Sequence, residues 1–453
     1  MRLKSTTPYF NFIETSSLKV VDEYIQKYQK ISELLGQNPK LLDQCHQDWA
    51  KLLSSSDQGR SSDFSSEQLL RALVVMFVEQ RGYRDTIIQI GTSDVLKYFV
   101  GLTPGKTMDY TFLNKAFCAL APETVESMVT ILTDYACCEQ LISGDKQRMD
   151  TTAYETHIHY PTDSSLLWDS FRTLTRLLRK TLKELPQLEL HHRFHDKKVK
   201  KLAVYIARNA SSKRKSTQRK VKHQYRLLIQ RVRWIHDVGQ QVYDQASQSG
   251  YDLAALAHYL PLVGQIADQA NRRVLLGEKV PPDEKLYSLF ESHTELIVRG
   301  KAGKPVEFGH KILIAQTAEK YIHHYRVMEH QIADKDLLIP ALDAHKTLFG
   351  SYPEILSTDK GFYESMQQIA ELEGKIPVVS IAKKGRRTQA ELERESREDF
   401  LEGQRFRAGS EGSISVLKRA FKLGRCLFKG FKNYAASVGF AVLCHNLVLL
   451  SKL

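Results

Sequence analysis

Strand chemistry appears once in the first half of this chain, stops, and does not return for more than a quarter of its length. QRMDTTAYETHIHY, residues 147–160, is rich in Thr, Tyr and Ile, the composition of a β-strand. The next stretch of that character is TELIVRG, from residue 294. From Ser164 to about Val280 the apolar spacing is helical throughout. A strand cannot stand alone, so it must rejoin the later strands across that gap. The expectation is a mixed α/β sheet flanked by helices, with a large helical insertion after its first strand.

The second half supplies the rest of the sheet. TELIVRG and VEFGHKILIAQTA flank KAGKP as a hairpin, and YIHHYRVM extends it. A helix (KDLLIPALDAHKTLF), a short strand (PEILSTD), a helix (YESMQQIAELEG), a strand (IPVVSIA) and the basic loop KKGRR follow. From Thr388 onward the pattern is mostly helical. Residues 1–140 are helical too. SLKVVDEYIQKYQKISELL and SSEQLLRALVVMFVEQ repeat apolar residues at helical spacing, and Ser65 or Ser66 can cap the second with a Glu close behind. YRDTIIQIGTSDVLKYFVGL reads as two helices around a turn at Gly91–Ser93, a helix-turn-helix form that helix pairs commonly take. Three regions are expected: a helical region over 1–140, a mixed α/β core over 146–163 and 290–453, and a basic helical insertion over 164–289.

Charge narrows the class of partner. The chain of 453 residues carries a formal net charge of +13, which favours a polyanion such as nucleic acid. Between Arg193 and Arg233 basic residues recur, Lys213, Arg214 and Lys215 among them, and Asp196 is the one acid. A solvated helix face usually mixes both signs, so this bias points to phosphate contacts. Tyr205, Tyr225 and Trp234 within and beside it read as packing residues. The six cysteines have no metal-ligand spacing and suggest a reduced, cytoplasmic chain. The most apolar segment, Tyr434–Leu450, is interrupted by His445 and Asn446, so a buried helix on the sheet is expected rather than a membrane span.

Three acids stand out. Asp150 lies inside the first strand, where an unpaired buried carboxylate is costly. Asp359 ends a short apolar strand before Lys360 and Gly361, and ligand sites of open α/β sheets collect at such ends. Glu411 opens a helix, with Arg407 one turn before it and Lys418 two turns after it on the same face. Singly, a strand-end Asp is usually a turn residue and a helix-start Glu a dipole-favoured one. Together, in the order Asp, Asp, Glu on strand, strand, helix, they form a set of hard oxygen ligands suited to Mg²⁺. His157 with His159, and His323 with His324, offer a weaker metal site without a complete ligand set.

These segments resemble bacterial insertion-sequence transposases with an RNase H-like DDE core, close to the ISNCY-type group. The resemblance rests on DTTAYETHIHYPTDSSLLWD for the first Asp, GKPVEFGHKILIA with STDKGF for the second, and FRAGSEGSISVLKRAFKLGR for the Glu. YRDTIIQIGTSDVLKYFVGL and MDYTFLNKAF resemble the helical DNA-binding segment of such enzymes. In the family signature Y-x2-R-x3-E-x6-K, Arg407, Glu411 and Lys418 match and Gln404 replaces the Tyr.

The resemblance implies cleavage and transfer of DNA strands at the element's ends. Asp150, Asp359 and Glu411 would hold two Mg²⁺ ions, with Mn²⁺ as a substitute, at a spacing of about 4 Å. Arg407 and Lys418 would contact phosphates near the cut. Lys213, Arg214, Lys215, Lys383, Lys384, Arg386, Arg387 and Arg419 would contact double-stranded DNA, with a homodimer or higher oligomer on the DNA and no membrane. A metal-dependent nuclease that cuts without joining, and a non-catalytic DNA-binding relative, are the rival readings.

Overall fold

A computed structural model of the protein describes residue 4 and residues 18–51, 63–103, 105–188, 192–301 and 304–453. Contacts divide the chain into two units, residues 1–155 with 310–453 and residues 156–309.

The first unit begins with α1 (Lys19–Gln37), α2 (Pro39–Ala50), α3 (Ser66–Val78), α4 (Tyr83–Thr92), α5 (Asp94–Val100), α6 (Tyr110–Ala119) and α7 (Pro122–Cys138), which lead into β1 (Lys146–Thr156). Ser65 caps α3, and its reciprocal partner is Gln68 rather than a glutamate. The break between α4 and α5 falls on Ser93 alone, whose hydroxyl accepts from the Leu96 N–H. β1 ends at Thr156, so His157 and His159 lie beyond the strand and do not share one of its faces.

The second unit holds α8 (Asp163–Glu184), α9 (Asp196–Asn209), α10 (Lys215–Gln248) and α11 (Ala254–Ala270), the last continued by a π-helical turn over Asn271–Leu276. Thr162 caps α8 through a reciprocal pair with Ser165. Leu167, Phe171, Leu174, Val232, Ile235, Val263 and Ile266 form its interior. Each such side chain contributes roughly 2 kcal/mol by leaving water. Tyr225 is buried there and Trp234 packs against it. The unit ends with β2 (Glu295–Lys301), paired antiparallel with the first part of β3 (Lys304–Gln316).

The chain then returns to the first unit through β4 (Ile322–Val327), α12 (Asp334–Phe349), β5 (Ile355–Thr358), a 3₁₀ turn over Lys360–Phe362, α13 (Met366–Glu373), β6 (Val378–Ile381), α14 (Gln389–Ser396), α15 (Glu398–Ala420), β7 (Arg425–Cys426) and α16 (Phe431–Leu450). The strands make one mixed sheet in the order β2-β3-β1-β5-β6, with β4 also on β3 and β7 on β1. β1, β5 and β6 run parallel, and β4 antiparallel to β3.

Alternation splits the sheet residues between two environments. Met149, Leu313, Leu356, Val379 and Ile381 share an apolar cluster with Leu338, Leu342 and Ile369 of α12 and α13. Arg148, Ser357 and Ser380 turn the other way, toward α15. Gly403 lets that helix lie close, because a Cβ there would collide with Ser380.

The N-terminal helices do not form a separately packed domain. Leu73 and Phe77 of α3 and Leu132 of α7 share one apolar cluster with Ile312, Ile314 and Phe440. The insertion boundaries at 155/156 and 309/310 therefore lie outside those expected at 163/164 and 289/290. α16 is the one described helix long and apolar enough to cross a membrane, and 83% of its apolar window is buried. Its Asn446 explains the polar interruption: Nδ2 donates to the Ile322 carbonyl at 2.8 Å and Oδ1 accepts from the Ile322 N–H at 3.1 Å. That side chain closes the start of β4 as a neighbouring strand would.

Candidate active site at the carboxyl ends of the parallel strands

Register brings the two aspartates together. Met149 of β1 stands opposite Thr358 of β5. Asp150, inside β1, and Asp359, just past β5, are the next residues, so they stand side by side where the parallel pairing stops, roughly 5 Å apart at the backbone. Alternation gives Asp150 the face of Arg148, and Asp359 that of Ser357, which is the α15 face. Asp150 Oδ1 accepts from the Thr151 N–H at 2.7 Å, and Asp359 Oδ1 accepts from the Gly361 N–H at 2.8 Å. The second bond caps the 3₁₀ turn and holds the carboxylate at the strand end.

Gly361 has a physical reason. A Cβ there would stand 2.6 Å from Asp334 Oδ2 and 3.0 Å from Asp359 Oδ1. Its absence lets Asp334, the first residue of α12, approach Asp359. Lys311 of β3 donates to Asp334 Oδ1 at 2.7 Å and to the Ile332 carbonyl at 3.2 Å. Sequence reasoning missed Asp334 because an acid in the first turn of a helix looks like an ordinary dipole partner.

α15 carries the third acid. Glu411 does not open a helix; it lies in the middle of α15, which begins at Glu398. Gly409 and Gly412 made the sequence there read as a boundary, whereas packing carries the helix through it. One flank of α15 is tied toward the start of β1. Lys146 bridges Glu402 at 3.0 Å, and Arg148 donates to the Phe406 carbonyl and to Ser413 Oγ, both at 3.2 Å. At 100° per residue, Gln404, Arg407, Glu411 and Lys418 fall on the opposite flank, where Gln404 donates to the Ser380 carbonyl of β6 at 2.8 Å. Glu411 is exposed and Arg407 and Lys418 are half-buried.

Arg148 also escaped sequence reasoning, although an arginine two residues before Asp150 was a visible signal. The residue is 4% exposed, and its guanidinium packs over the Phe406 ring at 5.0 Å. Its third acceptor is Gln316 Oε1 at 3.1 Å, so a buried cation is held by three neutral acceptors. Burial pulls its pKa below the ordinary value. Gly409 is required here, because a Cβ would collide with the guanidinium.

The histidines take other roles. His323 packs edge-on to His345 at 5.1 Å, and both rest on Phe349. Burial pushes His323 well below the ordinary value and His324 and His345 down to about 4, so all three stay neutral. His159 instead approaches buried Asp169, which also pairs with Arg172 at 2.8 Å. Among the described residues, no three His, Cys, Asp or Glu side chains already converge as metal ligands.

Of the residues expected to meet DNA, Lys213 and Arg214 between α9 and α10 and Lys215 at the start of α10 are exposed. Beside them on α9, Lys197, Lys200, Lys201 and Arg208 line a groove of about 560 Å³. In the KKGRR loop the charge is partly used within the fold. Lys383 pairs with Glu391 and Arg387 with Glu395, each at 2.7 Å, while Lys384 and Arg386 are exposed. Arg419 is exposed in the last turn of α15. No protein-family model, curated protein or solved structure matches this chain.

Proposed function

We propose that the protein is a DDE transposase with an RNase H-like core, cutting and joining DNA strands by in-line phosphoryl transfer. One observation carries the reading: Asp150 and Asp359 directly follow Met149 and Thr358, the last register partners of the parallel pair β1 and β5, so two carboxylates stand side by side there. The mixed sheet, with its helical insertion after β1, is compatible with that core.

The donor set fits Mg²⁺. Two carboxylates one strand spacing apart supply hard oxygens, and Glu411 of α15 would be the third ligand. When bound, the ions supply Lewis-acid polarisation of phosphate oxygens and a more acidic water. Asp150 and Asp359 hold their positions through the backbone bonds at Thr151 and Gly361. Arg407 and Lys418 offset charge on the reacting phosphate, and the basic faces of α9 and α10 bind the DNA backbone.

The test is a strand-transfer assay with labelled DNA from the gene's own flanks and Mg²⁺. A joined product supports the transposase. Cutting without joining would move the assignment to a nuclease, and DNA binding without cutting to a non-catalytic relative.

A further inference from the structure

Between the C-terminal halves of α15 and α16 lies a cavity of about 650 Å³. Lys320, Arg419 and Lys452 ring it, and Val416, Val448 and Leu449 give it an apolar wall. Among the described residues none that lines it is acidic, and none of the three cations has an ion-pair partner. Arg419 and Lys452 stand at the C-terminal ends of α15 and α16, where the helix dipole alone would favour a cation. Lys320 has no such reason. It sits in the turn between β3 and β4 with φ of 69°, a backbone conformation unfavourable for a side chain of its kind.

The glycines of α15 point the same way. Gly403 and Gly409 are required by Ser380 and Arg148. Gly412 is not, for a Cβ there would meet nothing within 4 Å. Glycine is a poor helix former, so an interior glycine with no close neighbour weakens α15 without improving its packing. Gly412 lines the cavity. A bare backbone beside unpaired cations and an apolar wall suits a ligand that joins an anion to a flat, weakly polar body.

We infer that this cavity binds one nucleotide of a DNA strand, its phosphate among Lys320, Arg419 and Lys452 and its sugar and base against Val416, Val448 and Leu449. The inference rests on the reading of the protein as a DNA-processing enzyme.

Gly412→Leu separates folding from binding, because it improves helix propensity and fills only the cavity. The full-length parent and variant are photocrosslinked to a single-stranded oligonucleotide of the element's end carrying 5-iodouracil. Melting temperature and affinity for the unmodified strand are measured alongside. The parent should crosslink to α15 or α16 peptides; Gly412→Leu should lose that crosslink, melt no lower, and bind the strand about tenfold more weakly. Arg419→Ala with Lys452→Ala should weaken binding in the same direction. A lower melting temperature for Gly412→Leu would mean that packing needs the glycine and would overturn the inference. Undiminished crosslinking by Gly412→Leu would overturn it too, while leaving the transposase reading intact. A parent that binds neither single strand nor duplex would sink both.

Discussion

The strand ends of the first unit and the helical faces of the second handle charge in opposite ways. Where the pairing of β1 with β5 stops, two carboxylates sit side by side, each held by a backbone N–H, with a buried guanidinium two residues earlier on β1. On α9 and α10 many cations stand exposed over an ordinary apolar interior. A site of the first kind depends on single residues and on strand spacing. A surface of the second kind depends on a sum, and removing one member changes it slightly.

The sharpest way to break this contrast is at the carboxylates. Asp150→Asn, Asp359→Asn and Glu411→Gln should each reduce strand cleavage by about 10³-fold or more, the loss of several kcal/mol of charge stabilisation. Affinity for duplex DNA should change by no more than about twofold, because it is distributed over the basic faces. Near-parental cleavage by any one variant in Mg²⁺ removes that residue from the site.

The buried cation comes next. Arg148→Met leaves Gln316, the Phe406 carbonyl and Ser413 without their donor, so urea denaturation should report a loss of about 3 kcal/mol. Gly409→Ala should destabilise in the same direction, against its better helix propensity, because its methyl must displace the guanidinium. A stabilised Gly409→Ala protein would contradict the packing described for Arg148.

Acid should weaken the first unit through histidines that the proposed mechanism does not use. His324, His345 and His445 are held near 4 by burial, and burial pushes His323 well below its ordinary value too. In the unfolded chain they take up protons near 6.5. The unfolded state thus binds more protons between those values, and stability is fully present above about pH 6.5 and falls as pH drops toward about 4. Denaturant midpoints at a series of pH values test this. His323→Phe should flatten the decline, and an unchanged pH profile would mean that the ring is protonated in the fold.

The smallest effect belongs to the basic surface. Lys213→Ala, Arg214→Ala and Lys215→Ala together should leave folding unchanged and weaken binding alike on terminal and unrelated DNA. The slope of log affinity against log salt should flatten by about one unit for each phosphate left without its cation. Salt titrations on both DNAs decide it, and unchanged slopes would place the DNA elsewhere.

The helices, the strands and the gap between them were legible in sequence because apolar period and residue type are local properties. So was the suspicion attached to Asp150 and Asp359, since an acid at a strand end stands out against its neighbours. Their adjacency was not legible, because it depends on pairing Met149 with Thr358 across more than two hundred residues. Glu411 looked like a helix start because glycines on either side of it weaken helix propensity locally. Only the tertiary structure provides what offsets that weakness at Gly409: Arg148, which occupies the space a side chain would take. The same holds for Asp334, an ordinary helix-start acid until Gly361 lets it approach Asp359. Composition and period are written along the chain, whereas register, close approach and the burial of a charge exist only between segments that folding brings together.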